Sequence, residues 1–149
     1  MKKDEKKRLL GLLEKKLDCL RQYLSIARAI RGVLAEKAGG QIHLLISERE
    51  GCIQRVNGID RSMRNLLRPN GRDRGRKSAA FRELIEYYAE KTRRVMEEAS
   101  SLDREITGLI RAECGTLRAE LFHVQRVRQA AHGYRMHQRP SPRFLDTMR

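Results

Sequence analysis

FRELIEYYAEKTRRVMEEASSLDREITGLIRAECGTLRAELFHVQRVRQAA, residues 81–131, is the stretch on which the fold turns. Apolar positions recur through it at alternating intervals of three and four. They run from Phe81, Ile85 and Tyr88 through Thr92 to Val95, Ala99, Leu102, Ile106 and Leu109, and after a slip to Leu117, Leu121, Val124 and Ala131. Such spacing lays one apolar stripe along a helix and gives the remaining positions to water. Two more stripes lie upstream: Leu10, Leu13, Leu17, Leu20, Leu24, Ala27, Ile30 and Leu34, then Ile42, Leu45, Arg49, Cys52, Val56, Ile59, Met63 and Leu66. Together they predict an all-α protein, an elongated antiparallel bundle of three long helices packed in coiled-coil fashion. Little room is left for an enzyme pocket.

The breakers set the boundaries. Helix 1 is expected over about 3–36, ending at Ala38-Gly39-Gly40, where paired glycines accept the left-handed geometry of a helix end. Helix 2 follows over 41–67, and so short a connection forces the two antiparallel. Pro69, Asn70, Gly71 and Gly75 make a polar loop, after which Ser78 is a candidate N-cap for a third helix over 79–133. At about 1.5 Å per residue that helix would be roughly 80 Å long, about twice either companion. Gly108 and Gly115 flank the slip in its stripe, and Glu113 takes a seam position there, which locates any bend. The bundle is therefore assigned to 1–133, and 134–149, with two of the three prolines, to a flexible tail.

The length mismatch leaves an apolar surplus. Leu117, Leu121, Val124 and Ala131 form one side of a candidate partner-binding helix, uncovered if the shorter helices do not reach it. In the tail, Phe144 and Leu145 either anchor a short binding motif or fold back on the bundle.

Composition narrows the function. Trp is absent, aromatics are 5% and charged residues 35%, which suits a solvent-laced helical bundle better than a sandwich or an α/β enzyme. No run approaches the roughly 20 apolar residues of a membrane span. The first apolar stretch is cut by Glu14, Lys15 and Lys16, unlike a signal peptide, so a cytoplasmic protein is expected. Cys19, Cys52 and Cys114 are far apart and form no C-x-x-C pair, so disulfides and zinc are not expected, and Cys52 reads as a small apolar seam residue. His43, His123, His132 and His137 form no i, i+4 pair, and no nucleotide-binding or nucleophile motif occurs. Neither a catalytic residue nor a cofactor nor a small-molecule substrate is expected.

Arg49 is the exception on the second stripe. A guanidinium at a seam position must find a carboxylate or lie where the bundle is open, and because Glu48 and Glu50 face elsewhere its partner should come from helix 1 or 3. The reading given to it is fixation of helix register. The formal net charge is +14 and 24 of the 33 basic residues are arginine, enough to attract any polyanion. The densest cluster, Arg68 to Lys77, has no aromatic for base stacking, which disfavours nucleic acid as the partner.

Leu44-Leu45-Ile46-Ser47-Glu48-Arg49-Glu50, followed by Ile53 and Ile59-Asp60, resembles the second helix of small bacterial flagellar export chaperones. Residues Arg126 to Arg149, with Val-Arg-Gln-Ala-Ala-His-Gly-Tyr134 and then Pro-Arg-Phe-Leu-Asp146, resemble the ending of the FlgN type, where a long helix gives way to a Tyr-bearing tail. The resemblance implies a cytosolic, non-enzymatic chaperone of flagellar type III protein export. Such a protein holds the amphipathic terminal helices of the hook-filament junction proteins, prevents their premature assembly and delivers them to the export-gate membrane protein, on which Tyr134 would dock. The arginine excess departs from many such chaperones. Competing readings are a filament-cap chaperone or coiled-coil adaptor of the same system, and a basic nucleic-acid-binding bundle using Arg68 to Lys77. A second copy of the chain would satisfy the helix 3 seam as a homo-oligomer.

Overall fold

The computed structural model describes residues 2–68 and 78–137. Its elements are α1 (Lys3–Ala35), a single 3-10 turn (Gly39–Gln41), α2 (Ile42–Leu67) and α3 (Ala79–His137), with no strand among the described residues. The chain divides into two units, Met1–Leu109 and Ile110–Arg149. The first is a three-helix bundle, and the described part of the second is the continuation of α3.

At the start of α1, Glu5 reaches back to accept a hydrogen bond from the Lys2 amide at 2.9 Å, and Asp4 and Glu5 complement the positive end of the helix dipole. Its other end departs from the expectation that glycines would make the turn. The Ala38 amide donates to the Val33 carbonyl and the Lys37 amide to that of Leu34, a Schellman closure in which Lys37 takes the left-handed conformation at φ 54. Gly39 and Gly40 lie one turn later, in the 3-10 connection. The first chain reversal is thus closed before the glycines are reached.

Two apolar clusters fix the helix directions. In one, Leu9 and Leu13 of α1 meet Phe81 of α3, with Met63 of α2 and Ile85 and Tyr88 of α3 packed alongside. In the other, Tyr23, Leu24, Ile26, Ala27 and Ile30 of α1 meet Cys52 of α2 and Ala99, Leu102 and Ile106 of α3, with Ile42 and Leu45 against them. Early α1 therefore meets late α2 and early α3, so α2 runs antiparallel to the other two. Charged pairs repeat that register: Lys16 with Asp60 at 2.7 Å, Arg31 with Glu105 at 3.2 Å, and Arg28 with Glu98. The two arginine pairs are half-exposed and the Lys16–Asp60 pair about one-fifth to one-third exposed, so each is worth about 0.2–1 kcal/mol and apolar burial carries the stability.

Burial is uneven. α1 buries nine side chains, among them Leu9, Tyr23 and Ile26 beside the single stripe expected for it, because α2 and α3 cover it from two sides. α2 buries only Cys52, its remaining stripe residues being half-covered. The bundle is closed around α1 and open between α2 and α3.

α3 begins where the Ser78 carbonyl accepts hydrogen bonds from the Phe81 and Arg82 amides, which puts Ser78 at the N-cap position. Its backbone stays helical through Gly108, Gly115 and Gly133. The helix expected to end at Gly133 continues to His137. An isolated glycine costs a helix only about 1 kcal/mol relative to alanine, and no proline occurs between Pro69 and Pro140. No described helix is long and apolar enough to cross a membrane.

Candidate partner-binding surface

In the second unit, every described side chain from 114 to 136 is exposed. Among them Leu117 is 49% exposed, Leu121 61%, Val124 47% and Tyr134 72%. Ala131 is exposed on the same stripe. Three-and-four spacing puts Leu117, Leu121, Val124 and Ala131 on one side of the helix, where the first three form an unbroken apolar row and Arg128 stands between Val124 and Ala131. Phe122 and Met136 are also exposed and lie off that strip, and exposed Val127, three residues after Val124 and four before Ala131, borders it. A single-stripe reading misses them because it follows one helix face. This unit shows a contiguous row of large apolar side chains in water, the kind of surface that marks an interaction site.

Tyr134 is on the helix, one turn before its described end. Phe144 and Leu145 lie outside the described residues, as does the basic loop from 69 to 77. Of that loop's flanks, Arg68 is exposed.

In the first unit Arg49 ties three helices together. Its Nε donates to the Tyr23 hydroxyl at 2.9 Å, and its Nη2 lies 3.0 Å from Oδ1 of Asp103. The Tyr23 hydroxyl in turn donates to Oδ2 of Asp103 at 2.6 Å, which closes a triangle. The guanidinium also stacks 5.2 Å from the Tyr23 ring. Burial, and then the hydrogen bond to Asp103, push the Tyr23 phenol above its usual pKa, while Arg49 works the other way. Tyr23 and Asp103 each neighbour a stripe residue, Leu24 and Leu102. That adjacency is the signal that could have singled them out, since a side chain there reaches the interface edge.

Beside this triangle a groove of about 290 Å³ opens between α2 and α3, with α1 as its floor. Cys52, Ile53, Val56, Met96, Ala99 and Asp103 are among its lining residues, and Ile53 and Met96 are half-exposed. It is apolar and shallow, with the Tyr23–Arg49–Asp103 cluster at one edge. Cys52 is buried, Cys19 half-buried and Cys114 exposed. Among the described residues no group of three or more His, Cys, Asp or Glu side chains is placed to hold a metal ion.

Neither a family model, nor a curated protein, nor a solved structure matches the chain.

Proposed function

We propose that this protein is a cytoplasmic, non-enzymatic chaperone of the flagellar export type, which shelters an amphipathic helix of a client on the apolar strip Leu117, Leu121, Val124 and Ala131. The observation that carries this reading is the continuous exposure of that strip in the second unit. A client helix laid along it would bury both apolar faces at once, the groove-and-helix mode of peptide recognition. Ordering a disordered client offsets part of the gain, so affinity stays moderate and release is possible.

The resemblance of residues 44–60 and 126–149 to FlgN-type chaperones supports hook-filament junction proteins as the clients and an export-gate membrane protein as the docking partner. On this reading Tyr134, the most exposed large hydrophobic side chain among the described residues of the second unit, serves the gate rather than the client.

Capture of the junction proteins of the same organism tests the proposal. The double substitution Leu121→Asp/Val124→Asp touches only exposed side chains, so stability should change by no more than about 0.5 kcal/mol per site. Client capture should be lost while the helical circular dichroism signal is retained. Undiminished capture by the double variant would remove the strip from the binding site.

A further inference from the structure

The strip does not stay apolar to its end. On the three-and-four spacing its positions are Ile110, Cys114, Leu117, Leu121, Val124, Arg128, Ala131 and Arg135: five apolar residues, then a guanidinium on either side of an alanine. The whole segment is also basic, since Arg111, Arg118, Arg126, Arg128 and Arg135 face only Glu113 and Glu120. In the first unit the seam guanidinium of Arg49 is met by Asp103, and Arg28, Arg31, Arg93 and Arg94 have carboxylate partners too. Among the described residues no ion pair involves an arginine of 110–135.

Whatever covers the strip also covers Arg128 and Arg135. A guanidinium closed into a helix interface without a carboxylate loses its hydration and gains nothing in return. A second copy of the chain is a poor cover. Parallel in-register pairing sets Arg128 against Arg128 and Arg135 against Arg135. The antiparallel alternative, which layers Leu121 on Val124, places the same guanidinia against Leu117 and Ile110. Two chains of net charge +14 also repel at a distance.

Resting on the chaperone reading, we propose that the occupant is an acidic amphipathic helix whose own apolar stripe ends in two carboxylates one heptad apart, which pair with Arg128 and Arg135. Apolar contact supplies the adhesion along Ile110 to Val124. The two arginines set the occupant's register and reject helices that are apolar but basic.

The probe is a synthetic helix of about four heptads with leucine at the seam positions and glutamate at two consecutive heptad positions of that seam, against its twin with lysine at those two positions. Fluorescence anisotropy at physiological salt should show the glutamate peptide binding at least about tenfold tighter, with affinity falling as salt rises. Arg128→Glu/Arg135→Glu should invert the order, and because both side chains are exposed the helix should persist by circular dichroism. Equal binding of the two peptides would overturn the acidic assignment and leave the apolar strip standing. Binding of neither would overturn both. A DNA duplex that displaces the glutamate peptide would assign the arginines to a phosphate backbone and overturn the acidic helix.

Discussion

Replacing Arg49 by Met removes the guanidinium that joins α1, α2 and α3 and keeps a flexible apolar stem in its place. Three interactions are lost, the hydrogen bond to the Tyr23 hydroxyl, the stacking on the Tyr23 ring and the ion pair with Asp103. The Arg49 and Asp103 side chains are 27% and 32% exposed, so the pair is partly screened and worth less than a fully buried one. With about 1 kcal/mol for each contact and some recovery from packing of the methionine, the net loss should be about 2 kcal/mol. For a bundle of this size that corresponds to a fall of roughly 8–15 °C in Tm. Thermal unfolding followed at 222 nm measures it. In a double-mutant cycle with Asp103→Leu, the pair Arg49→Met/Asp103→Leu should cost less than the sum of the two singles, because the second substitution removes a carboxylate already deprived of its cation and held only by the Tyr23 hydroxyl. Additive singles, or an Arg49→Met protein as stable as the parent, would show that the triangle does not hold the helices in register.

Three further outcomes are expected. Lys37→Gly relieves a left-handed side-chain conformation at the end of α1 and should stabilise the first unit by about 0.5–1 kcal/mol in denaturant titrations, where a loss would place another residue in control of the turn. Because the folded state raises the Tyr23 pKa above its usual 10.0, the protonated phenol favours folding, and that contribution is complete below about pH 10 and disappears as pH climbs through the folded value. The stability gap between the parent and Tyr23→Phe should therefore narrow in alkaline solution, and a constant gap would mean that the phenol proton is not linked to folding. Tyr134→Ala should leave client capture intact and weaken binding to the export gate, so normal gate binding by the variant would remove Tyr134 from that role.

Periodicity reached furthest where a helix is covered from one side. On α2 every member of the stripe from Ile42 to Leu66 is at least half-covered, and on α3 the same holds from Phe81 to Leu109. It fell short on α1, where a single stripe omitted Leu9, Tyr23 and Ile26, since a helix between two neighbours needs two overlapping stripes. The Tyr23–Arg49–Asp103 triangle was half legible. A seam arginine demands a carboxylate, but which one depends on the sliding of α1 along α3, and a shift of one heptad leaves both stripes unchanged. The left-handed residue at Lys37 was hidden because glycines stand two residues further on and are the usual occupants of that geometry. For the second unit, the difference in helix lengths indicated where surplus apolar stripe would fall. The basic character of its last two seam positions needed only the heptad count carried past Val124.

Hydrogen–deuterium exchange of the dilute protein, with and without a client helix, bears most directly on the claim that the strip from Leu117 to Ala131 is uncovered until a partner arrives. Amides of residues 110–136 should exchange much faster than those of 95–106 in the free protein, then slow markedly once the client is added. Equal protection of the two segments in the free protein, or no change on adding the client, would contradict it.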